Sequence, residues 1–302
     1  MRYRTFEELT KAVKTGEKKC VIVAAAQDIH ALEAVFRANT EGVLDYILVG
    51  DRGKIEEIAD QLGYPVSRER IVEISDTEEA AYRAVELIRQ GVGDFLMKGK
   101  LETSTLLRQV VHKETGIGMG GLMCHMALME IPAYPKLLGL TDSGMVIWPD
   151  YEQKKEILRQ GIEMFHRLGV ICPKVSCLTA VEKVNPKMPE TADAAALKEA
   201  AQKGEFGECC VEGPISCDLT FSMDAAQAKN YQSPVTGDAD ILLVPNMVTG
   251  NIAGKLLTCL AGAKMAGCVL GAKVPIVLTS RGSSFEEKYN SLMLCAAWAR
   301  RN

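Results

Sequence analysis

Between Lys19 and Gly99, short apolar runs alternate with stretches in which apolar residues recur every three or four positions. Residues 19–26, 45–51, 71–74 and 95–99 are brief, rich in Val, Ile and Leu, and read as buried strands. Residues 54–62 and 78–90 have helical spacing. Asp28 offers an N-cap to a further helix carrying Leu32, Val35 and Phe36 on one face. Strands separated by helices imply parallel pairing with helices on both faces of the sheet. Ligands gather at the carboxyl ends of such strands, which here carry Gln27-Asp28 and Lys98-Gly99-Lys100.

From Pro132 onward prolines punctuate the chain and the texture changes. Strand-like pieces recur at 144–148, 174–178, 240–245 and 274–278, and helical ones at 152–168, 193–203 and 285–300. The expected class is α/β with two lobes and parallel-rich sheets. Residues 1–134 plus 275–302 form one lobe and 135–274 the other.

Composition narrows the function classes. A formal net charge of -4 over 302 residues lacks the basic footprint of nucleic-acid binding, so any polyanion must be met by a few local Lys and Arg side chains. No apolar run reaches the ~18 residues that span a membrane. The charged N-terminus does not resemble a signal peptide, so a cytoplasmic location is expected. The ten cysteines, among them Cys20, Cys124, Cys259, Cys268 and Cys295 in apolar or small-residue contexts, read as buried reduced thiols. Cys172 and Cys177 have no matching second pair, and no metal site is expected.

Four segments could carry chemistry. After the strand at 274–278 come Thr279, Ser280, Arg281, Gly282 and two serines at a helix start, a natural setting for an anion. Arg281 adds a planar bidentate donor, while Ser284 and Glu287 are spaced as a capping box. In the second segment, Asn246 ends a strand, Gly250 suits a tight turn, and Asn251 can open a helix that places Lys255 one turn inward. The glycine-dense run 116–121 fails the dinucleotide spacing; His125, which follows it, is either a core histidine or a polar group at a cleft. Asp218, Asp238 and Asp240 fit turns and caps better than a divalent ion.

Taken together, VEKVNPKMPET at 181–191, EGPISCD at 212–218, GDADILLVP at 237–245 running into Gly250-Asn251, and Ser280-Arg281 resemble the phosphate acetyl/butyryl transferase family. The similarity spans nearly the whole chain, and the length and the LMKG stretch at 96–99 look closer to the butyryl branch. The resemblance implies a fold like the isocitrate and isopropylmalate dehydrogenases, with the site between two lobes, and a homodimer or larger homo-oligomer. It implies exchange of CoA for inorganic phosphate on a short-chain acyl-CoA by direct displacement, with acyl-CoA as substrate and no tightly bound cofactor. It further implies that Arg281, helped by Lys98, holds phosphate, that Ser280 hydrogen-bonds the reacting carbonyl, and that Glu287 stands where the acetyl branch has an aspartate base. His125, Asn246, Gly250, Asn251 and Lys255 are the expected substrate contacts. The rival readings are an acetyl-specific enzyme, an NAD-dependent decarboxylating dehydrogenase of the same fold, and a non-catalytic CoA-binding protein.

Overall fold

The apolar run that begins at Lys19 becomes the middle strand of a parallel sheet in the computed structural model, which describes residues 3–280 and 282–299. The chain divides into two units, one of Phe6–Gly121 with the segment from Met265 onward, the other centred on Leu122–Lys264.

The first unit opens with α1 (Phe6–Lys14), β1 (Lys19–Ala24), α2 (Ile29–Thr40), β2 (Leu44–Gly50), α3 (Arg52–Leu62), β3 (Ile71–Glu73), α4 (Thr77–Arg89), β4 (Phe95–Lys98) and α5 (Thr103–Val110). β1 pairs in parallel with β2 and β4, and β2 with β3. The crossover helices α2, α3 and α4 each start on an aspartate whose carboxylate takes first-turn N–H groups: Asp28 from Ala31, Asp51 from Lys54, and Asp76 from Glu78 and Glu79. Those donors would otherwise lack intrahelical partners. Beyond the strand ends the backbones of β1 and β4 lock together. Gly99 N–H donates to Ala24 O at 2.9 Å and Lys100 N–H to Ala25 O at 2.7 Å. The approach is so close that a Cβ on Gly99 would lie 2.2 Å from Ala25 O.

The second unit runs through β5 (Cys124–Glu130), β6 (Leu138–Thr141), α6 (Tyr151–Arg167), β7 (Lys174–Leu178), α7 (Pro189–Gln202), β8 (Cys210–Ile215), α8 (Cys217–Phe221), α9 (Met223–Ala228), β9 (Ile241–Leu243) and α10 (Met247–Leu260). Its strand order is β5-β6-β9-β7-β8, parallel except between β5 and β6. The chain then returns to the first unit with β10 (Lys264–Leu270), β11 (Ile276–Val277) and α11 (Phe285–Trp298). β11 lies parallel to β4 and antiparallel to β10. Leu292, Met293, Leu294, Cys295 and Ala296 are consecutive and fully buried, so the second half of α11 is enclosed on all sides, while Glu286 in its first turn is exposed.

The unit boundaries fall at 121/122 and 264/265, earlier than the 134/135 and 274/275 expected from the sequence. The shift has a local cause: β5 pairs with β6 inside the second unit, and β10 pairs with β11 inside the first. The strand expected at 144–148 is also absent. Those residues form a loop around the Asp142 carboxylate, which accepts the N–H groups of Gly144 at 2.7 Å, Met145 at 2.8 Å and Val146 at 3.1 Å. All ten cysteines are free thiols, but where burial was expected only Cys124, Cys177, Cys268 and Cys295 are buried, and Cys217 and Cys259 are exposed. Among the described residues, no helix is long and apolar enough to cross a membrane.

Candidate functional site

The expected site residues fall into two clusters, one in each unit. In the first unit β11 delivers Thr279, which is buried, and Ser280, which is exposed. Arg281 lies outside the described residues. Ser283 N–H donates to Ser280 O at 3.1 Å, closing a tight turn before α11. Ser284 caps α11 by accepting Glu287 N–H at 3.2 Å. The reciprocal half of the expected capping box is not made, because the Glu287 carboxylate instead takes a 2.6 Å hydrogen bond from Ser283 Oγ. Burial pushes the Glu287 carboxyl above its usual range, against the opposing pull of Ser283 and the Lys288 charge.

Lys98, at the end of β4, is 4% exposed, and its Nζ donates to Leu101 O at 3.0 Å and Gly99 O at 3.3 Å. It lines a cavity of ≈ 620 Å³ together with Gln27, Asp28, Lys100 and Lys288. The carboxyl ends of β1 and β4 therefore do frame a pocket. Lys288 is the residue that sequence reasoning missed here. A lysine in the first turn of a C-terminal helix looks like a solvated charge, yet this one is 2% exposed and donates to Thr279 Oγ1 at 3.1 Å.

In the second unit His125 projects from β5, half-buried, with its Nδ1 2.8 Å from Ser143 Oγ. Asn251 Nδ2 donates to Ser143 O at 3.2 Å. His125, Ser143 and Asn251 thus form one polar cluster, resting on the loop that Asp142 organises. The helix next to it begins one turn earlier than the sequence suggests. Asn246, not Asn251, is the N-cap of α10 and accepts Thr249 N–H at 2.9 Å. Gly250 consequently sits inside the helix rather than in a turn. It is needed there for close approach, since a Cβ would stand 2.7 Å from Asp142 O. Lys255 is exposed on α10. Asp142 and Ser143 were not singled out from the sequence; the only signal was a short polar run directly after an apolar strand.

The three other aspartates are held by lysines. Lys136 Nζ bridges Asp238 and Asp240 at 2.6 Å each, and Lys174 Nζ reaches Asp238 at 2.7 Å. Asp218 takes hydrogen bonds from Ser216 and Lys229, and these hold its carboxyl down at about 2. Among the described residues no group of three or more His, Cys, Asp or Glu side chains is placed to hold a metal ion.

A family model described as phosphate acetyl/butaryl transferase matches residues 75–296. Phosphate butyryltransferase of Clostridium acetobutylicum is 41% identical over 97% of each chain. Phosphate acetyltransferase of Thermotoga maritima is 40% identical over 97% of this chain and 100% of its own. The crystal structure of a branched-chain phosphotransacylase from Enterococcus faecalis is 33% identical, covers 94% of this chain and 100% of its own, and superposes with a TM-score of 0.81. A 4-hydroxythreonine-4-phosphate dehydrogenase from Burkholderia phymatum, 16% identical over 95% of this chain and 100% of its own with a TM-score of 0.56, shares the fold alone.

Proposed function

The chain belongs to the phosphate acetyl/butyryl transferase family, and from that premise we propose how its residues exchange the CoA of a short acyl-CoA for inorganic phosphate. The protein is an acyltransferase, and butyryl-CoA is its reference substrate, with acetyl-CoA the alternative.

In this reading phosphate is held by Arg281 and Lys98 and attacks the thioester carbonyl. An O–C bond forms, the C–S bond breaks, and the products are butyryl phosphate and CoA. Binding both reactants at once converts a bimolecular step into a positioned one. Ser280 donates to the oxyanion of the tetrahedral intermediate. Glu287 gives its proton to the departing thiolate. The observation that carries this assignment is the environment of Glu287, whose half-buried carboxyl is pushed above its ordinary range and so retains protons closer to neutrality. His125, Asn246, Gly250, Asn251 and Lys255 contribute contacts to the acyl-CoA. The step itself calls for no tightly bound cofactor, and the free thiols suit a reducing cytoplasm.

We place a homodimer contact on α10. Val248, Ile252, Leu256 and Leu260 recur every fourth residue and are exposed, Leu260 at 81%, while Gly250 and Gly254 face inward. The first and last turns of the helix carry no acidic or basic residue. Exposed Ile147 and Trp148 extend the patch, and Met247 N–H donates to Ile147 O at 3.2 Å. This stripe, whose one charge is the exposed Lys255, is matched by the same stripe on a second copy related by a two-fold axis, with one ridge packed into the other. Beside it lies an apolar cavity of ≈ 920 Å³, lined in part by Trp148, Ala253, Leu256 and Leu257.

The test of the reaction is hydroxylamine trapping of butyryl phosphate from butyryl-CoA and phosphate. Trapped acyl phosphate supports the reading, and CoA release by plain hydrolysis overturns it.

A further inference from the structure

We propose that Lys288 is a positioning residue, whose ammonium ties Thr279 to the start of α11 and so closes the loop that carries Ser280, Arg281 and Glu287. The proposal rests on the acyl-transfer reading above, in which those three residues meet the reactants, and adds what keeps them in register with one another.

The first observation is where the sheet lets go. Among the described residues, the pairing of β11 with β4 and β10 runs through Ile276 and Val277. Thr279 and Ser280 lie past that ladder. Ser283 N–H donates to Ser280 O at 3.1 Å and Ser283 Oγ to Glu287 at 2.6 Å, both within the loop. These bonds shape the loop without closing its base. Lys288 closes it, since its Nζ donates to Thr279 Oγ1 at 3.1 Å and joins residues nine positions apart. One end of that bond is next to Ser280 in the chain and the other is next to Glu287.

The second observation is the cost at which this lysine is kept. Lys288 is 2% exposed, and lysine is almost never so enclosed without a close carboxylate. Asp28 stands 3.9 Å away, and it already accepts Ala31 N–H as the N-cap of α2. Lys288 also lies one turn past Ser284, the N-cap of α11, at the helix end where a positive charge is unfavourable. Stability alone favours an apolar side chain in such a place. What an apolar side chain lacks is a donor that crosses from α11 to Thr279.

The third observation is shielding. Thr279 is 4% exposed, so both partners of the bond are closed to water. A hydrogen bond inside the protein is stronger than one at the surface and holds its direction. Such a bond suits a loop whose residues must meet two reactants at once, because small displacements of reacting groups are expensive in rate.

The experiment measures phosphate-dependent CoA release from butyryl-CoA by wild type, Thr279→Val, Thr279→Ser, Lys288→Met and the double variant Thr279→Val with Lys288→Met. Valine keeps the shape of threonine and removes the acceptor, whereas serine retains it. Thr279→Val and Lys288→Met should each lower kcat by about ten-fold or more, the scale of a small misplacement of reacting groups. The double variant should fall no further than the slower single one, because both remove the same bond. Thr279→Ser should regain the rate lost in Thr279→Val. Thr279→Val carries the test by itself where Lys288→Met fails to fold.

A folded Thr279→Val with wild-type kcat, or losses that add in the double variant, would overturn the proposal. A phosphate KM that rises in Lys288→Met and not in Thr279→Val would make the lysine a ligand of the anion instead of a tie, and would overturn it too. Where wild type releases no CoA from any thioester, the reaction reading fails and hydrogen exchange reads the tie. Amides of residues 280–284 should then exchange about ten-fold faster in Thr279→Val and return to the wild-type rate in Thr279→Ser, with the rest of the chain unchanged. Exchange in this loop that ignores the Thr279 hydroxyl refutes the tie.

Discussion

Ser283 donates a 2.6 Å hydrogen bond to the carboxylate of Glu287, one helical turn away at the start of α11. Two influences act on the same group: burial raises its affinity for a proton, and the serine with Lys288 lowers it. Removing the serine hydroxyl leaves burial less opposed. Glu287 acts in its protonated form, so Ser283→Ala should move the limb on which kcat falls with rising pH to higher pH, which steady-state rates between about pH 5 and 9 would reveal.

Glu287→Gln separates stability from chemistry. A carboxyl whose folded-state proton affinity exceeds its unfolded one, near 4.5, favours folding below that value and loses the benefit as pH rises through the folded pKa. The glutamine variant carries no such cost. Its Tm should exceed that of wild type near neutral pH, with the difference vanishing by about pH 4, while kcat falls by roughly 10²-fold if Glu287 is the acid.

Glu41 behaves in the opposite sense. Although burial acts to raise its carboxyl, hydrogen bonds from Arg37, Lys14 and Tyr289 outweigh it and bring the value down to about 2. Tyr289 lies on α11 and Glu41 closes α2, so this bond of 2.7 Å ties the two helices together. The stabilisation is present above the unfolded value of 4.5 and is lost as pH falls toward about 2. Glu41→Gln should lower the Tm near neutral pH, and thermal scans down to about pH 2 should show the gap to wild type closing.

Two glycines are required by proximity rather than by turn geometry. Alanine at Gly99 would press on Ala25 O at 2.2 Å, and alanine at Gly250 on Asp142 O at 2.7 Å, both of them backbone atoms with little room to yield. Each substitution should cost about 1–3 kcal/mol in denaturant unfolding. Gly250→Ala should also disturb the His125–Ser143–Asn251 cluster, visible as a higher KM for acyl-CoA.

Charge placed in the α10 stripe should separate the copies. Ile252→Asp or Leu260→Asp is expected to shift the mass seen by sedimentation or light scattering from dimer to monomer, with the monomer keeping its secondary structure. A wild type that is monomeric at micromolar concentration would refute the interface.

Much of the first unit was legible because its signals are local. The runs at 19–26 and 95–99 and the capping Asp28 form a strand, a strand and a helix start where periodicity puts them. What was illegible depends on partners distant in sequence. β5 and β10 contain His, Lys and Gly among their apolar residues, and pairing with β6 and β11 makes them strands. The loop at 144–148 has strand composition, but the Asp142 carboxylate captures its N–H groups and no ladder forms. Asn246 and Asn251 are both plausible caps by residue type, and the strand end at Leu243 places the helix start at the first. For the proposed chemistry, Ser280 and Glu287 are the residues that the motif picks out. The enclosure of Lys288 beside Thr279 is a feature of burial, which no single sequence displays.

The most direct test of the central claim is CoA release from acetyl-, propionyl-, butyryl- and isobutyryl-CoA, with and without phosphate, for wild type and Arg281→Ala. Strictly phosphate-dependent release, greatest with the four-carbon substrates and collapsing in the variant, is the predicted result. A folded protein that binds CoA yet releases none from any thioester, with phosphate present, would contradict it.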